Sequence, residues 1–112
     1  MTVIKQSDLP WSSIAHELIG DDHGGLGLCI IFVDAEPGRG PSLHTHPYDE
    51  VLIIQEGRAR ATVGGETLDV GPGDIVLIPA GAPHGFTNTG EGQLRQIDIH
   101  VSSHFDTQWL DA

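Results

Sequence analysis

Along the chain, short apolar runs alternate with breaks rich in glycine and proline. Leu26–Ala35 is apolar and contains several β-branched residues, and the breaker Pro37-Gly38-Arg39-Gly40-Pro41 follows it. Glu50–Glu56 is a second apolar run, closed by Gly57. Ala59, Ala61 and Val63 then alternate with Arg58, Arg60 and Thr62, the period of two expected of a strand buried on one face. Gly64-Gly65 marks a two-residue hairpin turn, after which Thr67–Val70 returns. Gly71-Pro72-Gly73-Asp74 turns the chain again, and Ile75–Ile78 is stopped by Pro79-Ala80-Gly81. His84–Thr89 and Leu94–Val101 form the last pair of strands. Strands this short and this regularly punctuated predict an all-β sandwich or barrel. Helix is sparse: a terminal turn over Phe105–Leu110, and a weak segment Ser7–Ile14 that Pro10 interrupts. No linker or low-complexity stretch divides the chain, so one domain over residues 1–112 is expected.

Composition narrows the function. The 112 residues include 5 Lys and Arg against 16 Asp and Glu, a formal charge of −11. Phosphate recognition needs clustered basic residues, so nucleic acid is an unsuitable partner, and anionic membrane surfaces are disfavoured for the same reason. Cys29 is the lone cysteine, which excludes an intrachain disulfide framework and a multi-cysteine zinc site. Its place in an apolar run predicts a buried thiol. The apolar runs are too short to span a bilayer. Met1–Gln6 lacks the apolar core of a secretion signal, so a cytoplasmic protein is expected. The unusual figure is 7 histidines.

His44-Thr45-His46 sets two imidazoles two residues apart, and on an extended strand such residues share a face. Glu50 follows past Pro47, at the head of an apolar strand. His84 lies far away in sequence, yet in a small barrel it can stand opposite the first group. Three imidazoles and one carboxylate make a nitrogen and oxygen site without thiolate. Such a site suits one divalent transition metal ion: Fe, Mn, Ni, Zn, Co or Cu. Four protein ligands leave up to two positions of an octahedral ion for a substrate oxygen or water. His16, His23 and His104 stand outside any such grouping, and solvent exposure is expected for them.

The spacing around these residues resembles a known family. Gly38, His44, His46, Glu50 and Gly57, at residues 38–57, match the first cupin motif without a gap. Gly73, Pro79, Gly81, His84 and Asn88, at residues 73–88, match the second, and the intervening Arg58–Pro72 resembles the short hairpin of small microbial cupins. The resemblance implies a double-stranded β-helix, a jelly-roll barrel of two antiparallel sheets. It also implies a metal ion held inside by His44, His46, Glu50 and His84. Gly38, Gly57, Gly73 and Gly81 would then serve turns at strand ends.

Strand parity extends the expectation to a pocket. Ala59 and Ala61 should point inward and, being small, leave room for a flat organic molecule. Leu52 shares the parity of Glu50 and should wall the cavity, as should Phe86, which shares that of His84. Tyr48 should sit at the pocket mouth. On the last strand, Gln96, Asp98 and His100 share one face and Ile97, Ile99 and Val101 the other. If the polar face turns inward, Asp98 and His100 are acid–base candidates beside Glu50; otherwise they form a solvated face. The leading expectation is a metal-dependent enzyme acting on a small organic substrate. A dioxygenase comes first, an isomerase or lyase next, and a non-catalytic binding or sensory module is the alternative. A homodimer is expected, to cover an apolar outer strand face.

Overall fold

The structure, a computed structural model, describes residues 1–110. The strands are β1 (Ala15–Leu18), β2 (Cys29–Ala35), β3 (His44–Thr45), β4 (Glu50–Glu56) and β5 (Ala59–Val63). They continue with β6 (Glu66–Val70), β7 (Ile75–Ile78), β8 (His84–Asn88), β9 (Leu94–His100) and β10 (Gln108–Trp109). Two short 3-10 turns, Gln6–Asp8 and Gly20–His23, complete the elements, and the described residues contain no α-helix. The strands form two antiparallel five-stranded sheets, β1-β2-β9-β4-β7 and β10-β3-β8-β5-β6. This is the all-β jelly-roll barrel that the motif spacing implies. Among the described residues no helix is long and apolar enough to cross a membrane.

Alternation in the sequence becomes alternation of burial. Along β2, Cys29, Ile31, Val33 and Ala35 are buried while the residues between them are half-buried, and β9 follows the same rule. The inner faces meet in one apolar cluster that includes Ile31, Val33, Leu52, Ile54, Ala59, Ala61, Val70, Ile78, Phe86 and Leu94. Sequence-distant strands lie side by side: β9 runs between β2 and β4, so closure of the barrel depends on non-local pairing.

The motif glycines serve backbone geometry. Gly38, Gly57, Gly73 and Gly81 have φ of 83°, 86°, 89° and 81°. At Gly57 a side chain would also collide with the Gln93 carbonyl, beside the irregularity in the pairing of β4 with β9. The motif asparagine is a strut. Asn88, 2% exposed, donates to the carbonyls of Ala35 and Gly92 and accepts from the Gly90 N–H, each at 2.9 Å.

Three local expectations are corrected. Phe105–Leu110 is not a helical turn; it runs extended, with β10 pairing Gln108 to Thr45 and Trp109 to His44. The alternation of Phe105, Thr107 and Trp109 toward the barrel fits that geometry. Ser7–Ile14 yields only the turn Gln6–Asp8, which ends ahead of Pro10. The strand expected from Leu26 begins at Cys29, because the amides of Gly25 and Leu26 fold back onto the Gly20 carbonyl.

Candidate metal centre

Register explains how four residues from three parts of the chain converge. His44 on β3 pairs directly with His84 on β8 in one sheet. Glu50 on β4 pairs directly with His100 on β9 in the other. His46 lies on the connection between β3 and β4 and closes the gap between the sheets. The candidate ligand atoms of His44, His46, Glu50 and His84 all lie within 4.8 Å of one another, and all four residues are buried. Donors on opposite sides of a first-row ion stand about 4–4.4 Å apart, so shifts of a few tenths of an ångström suit this set to one ion.

Hydrogen bonds settle which nitrogens face inward. His44 Nδ1 donates to the Ser42 carbonyl at 2.7 Å, His46 Nδ1 to Asp106 at 2.9 Å, and His84 Nδ1 to Ala82 at 2.9 Å. Each bond places the proton on Nδ1 and leaves the Nε2 lone pair turned to the centre. His46 Nε2 and His84 Nε2 then lie 3.2 Å and 3.0 Å from the same carboxylate oxygen, Glu50 Oε1. His46 Nε2 is buried and has no hydrogen-bond partner among the described residues. Lone pairs pointing at one carboxylate oxygen require a cation between them, a proton or a metal ion. The donor set therefore fits a borderline divalent ion.

The charges agree. Burial alone would raise the Glu50 carboxyl, but its contacts with His100, His46 and His84 hold it far below the usual carboxylate range. Burial lowers His84, and its contact with Glu50 outweighs this and raises it. His44 is lowered by burial, which the Ser42 carbonyl only partly offsets.

Behind the four residues lies a bracing network. The Asp106 N–H donates to the Tyr48 hydroxyl at 3.4 Å, and Tyr48 lies 2.7 Å from His100 Nδ1. Burial pushes the Tyr48 phenol up to about 12, so the hydroxyl keeps its proton. The proton of His46 Nδ1 already serves Asp106, so the Tyr48 proton goes to His100 Nδ1. His100 then carries its proton on Nε2, 3.2 Å from Glu50 Oε2. One oxygen of Glu50 is thus held by His100 and the other faces His46 and His84.

The site opens into a cavity of about 430 Å³ between the sheets. His44, His46, Glu50, His84, Phe86, Asp98 and His100 all line it. The polar face of β9 therefore turns inward. Tyr48, Leu52, Ala59 and Ala61 lie off this wall. Tyr48 sits half-buried behind His46 and His100 rather than at the mouth. Leu52, Ala59 and Ala61 are packed into the apolar core, where Phe86, the direct partner of Ala61, contributes to filling the space expected beside the alanines. His23 and His104 are exposed, whereas His16 is half-buried and bonds to the Leu9 carbonyl at 3.0 Å. Cys29 is buried.

Several wall residues were not anticipated: Ser12, Ala15 and Glu17 around β1, Arg39 at the rim, and Phe105, Thr107 and Trp109 beyond β9. Phe105 stands edge-on to His100, with ring centroids 5.2 Å apart, and Trp109 tilts over His44 at 4.8 Å. Their period of two was the available signal. The parity of Ala15 and Glu17 was another, masked by the shortness of β1.

Comparison with known proteins agrees with this fold. Residues 31–100 match the family model described as a cupin domain, and the chain belongs to that family. It is 31% identical over 99 residues to the polyketide synthase CurC of Streptomyces cyaneus, covering 80% of this chain and 61% of that protein. A cupin-like protein of Thermotoga maritima superposes with a TM-score of 0.78 at 22% identity, over 100% of this chain and 90% of that one. Oxalate decarboxylase of Bacillus subtilis gives 0.78 at 24% identity, over 96% of this chain and 31% of that one. These two structures bear on the fold alone.

Proposed function

We propose that the chain is a metal-dependent enzyme acting on a small oxygenated organic molecule seated between the sheets. The observation that carries the reading is the convergence of imidazole lone pairs on Glu50 Oε1 at the wall of an otherwise largely apolar cavity. His44, His46, Glu50 and His84 would hold one divalent ion, which supplies a Lewis acid able to polarise a substrate oxygen. Phe86, Ile31 and Val33 present apolar surface to the substrate and exclude water from it. Glu50, as ligand and base, accepts a proton at its carboxylate, and His100 holds the second oxygen in place and returns a proton through Nε2. Likeness to a polyketide synthase supports a polyketide-like substrate. Dioxygen-dependent cleavage is the reaction placed first, isomerisation or lyase chemistry second.

The test begins with the metal found in protein purified from its own cell. With that metal, dioxygen uptake and product formation are followed over a set of enolic and phenolic polyketide fragments. Turnover with stoichiometric dioxygen uptake is expected. Tight binding without conversion under every metal would replace the enzyme by a binding or sensory module.

A homodimer belongs to the same reading. Leu68, Ile75 and Leu77 are 63%, 62% and 71% exposed on β6 and β7, the two edge strands that flank one side of the barrel. A second copy would cover them. Sedimentation at micromolar concentration is expected to give twice the monomer mass of 12.0 kDa; a monomer mass would contradict it.

A further inference from the structure

The inner face of the β1-β2-β9-β4-β7 sheet is largely apolar, and besides Glu17 and Glu50 its polar residues form one column. Strand β9 sends His100, Asp98 and Gln96 inward in succession, and all three are buried. Glu50 and Tyr48 account for His100. Nothing so far accounts for Asp98 and Gln96, although burying a carboxyl and a carboxamide in a small barrel is costly.

Asp98 is 4% exposed and lies on the cavity wall. Gln96 Nε2 donates to its Oδ1 at 2.7 Å. Gln96 Oε1, on a residue 2% exposed, has no hydrogen-bond partner among the described residues, so the Nε2 bond to Asp98 is the one contact that fixes this carboxamide there. Directly opposite Asp98 stand Ile31 on β2 and Leu52 on β4, both apolar. The nearest inward charged or titratable positions are Glu17 on β1, the partner of Ile31, Glu50 on β4 and His100 on β9 itself. Phe86 and His84 line the cavity from the other sheet. No ion pair to Asp98 occurs among the described residues. Burial, with the Glu50 charge adding to it, pushes the Asp98 carboxyl well above the usual range. Burial raises Glu17 as well. With Oδ1 taken by Gln96, the carboxyl proton falls to Oδ2. Asp98 and His100 are two residues apart on one strand, so they stand about 6.7 Å apart along it. That is the length of one substituted six-membered ring.

We propose that Asp98, oriented by Gln96, donates a hydrogen bond to a carbonyl or enol oxygen of the bound molecule. The ligand class is then a planar enol or phenol with oxygens at both ends, one end facing His44, His46, Glu50 and His84 and the other facing Asp98. This rests on the reading of those four residues as a metal centre.

The experiment titrates 3,4-dihydroxyacetophenone and 4-ethylcatechol into zinc-loaded wild type, Asp98→Asn and Asp98→Leu. The probes differ by one carbonyl oxygen, and comparing the ratio of their dissociation constants across proteins cancels their unequal acidity. The ketone preference of wild type is expected to exceed that of Asp98→Leu about fivefold to tenfold. Asp98→Asn, whose amide N–H can replace the carboxyl proton, is expected to keep the preference. Zinc content should be equal in all three. Equal ratios in all three proteins overturn the proposal, as does a preference found in Asp98→Asn alone, which would mark an ionised carboxylate in wild type. Zinc-loaded wild type that binds neither probe overturns the ligand class. Wild type that fails to hold zinc overturns the metal-centre reading instead.

Discussion

Replacing His46 or His84 by alanine is expected to remove the bound metal, with affinity falling more than about 100-fold, beyond the 10–100-fold usual for groups that only brace a ligand. Each substitution takes away one of the inward Nε2 lone pairs that His46 and His84 aim at Glu50 Oε1. His44→Ala should act in the same way through the ligand on β3. Tyr48→Phe supplies the contrast. It removes the hydroxyl behind His100 yet leaves the candidate ligands in place, so its affinity loss should stay within the bracing range. Metal analysis of the dialysed variants is the measurement. Full occupancy in His46→Ala or His84→Ala would rule out the site.

Stabilisation of the barrel by metal should fade as pH falls from 8 to 5. A bound ion stabilises by about 2.7 kcal/mol at a free concentration 100 times its dissociation constant, roughly 10 °C for a domain of this size. Protonated imidazole cannot ligate. Each histidine that must lose a proton weakens apparent affinity about tenfold per unit of pH below its own pKa. The metal-free barrel behaves differently. His84 is raised above its ordinary 6.5, so its contribution is complete below that value and is lost as pH rises through the raised one. His44 is lowered from 6.5, so its contribution is present above that value and is lost as pH falls through the lowered one. These two oppose each other. Glu50 is lowered from 4.5, so its contribution persists throughout pH 5–8. Asp98 and Glu17 are raised by burial, so their contributions are greatest at low pH and are lost as pH rises. The metal-free melting temperature should therefore hold or rise as pH falls, while the metal-induced increment shrinks. Equal metal-induced shifts at pH 5 and pH 8 would argue against imidazole ligation.

Much of this architecture was legible in the sequence because local signals and tertiary structure agree there. The bounds of Glu50–Glu56 and Ile75–Ile78 follow directly from apolar runs stopped by Gly and Pro, and β5 follows from the alternation of small and basic residues. The four convergent residues were legible for a different reason: fixed motif spacing sets strand register, and register sets which side chains meet. The cavity wall was harder to read. Parity says which face points inward, but not whether that part of the interior is open or filled. Ala59 and Ala61 face inward as expected, yet they belong to the packed core. The orientation of β9 was undecidable locally, because both of its faces are plausible cores until β2 and β4 are known to flank it. β1 lacks the length for a clear periodic signal, and β10 depends on a partner, β3, that lies far back along the chain.

The bond from His46 to the Asp106 carbonyl joins residues 60 positions apart. The tautomer that readies His46 for a cation is therefore imposed late in synthesis, by a segment that leaves the ribosome well after His44 and His46 have emerged. A nascent chain carrying the His-Thr-His sequence has the side chains of the site but not their orientation. The complete, oriented donor set therefore assembles only once the segment around Asp106 has joined the barrel.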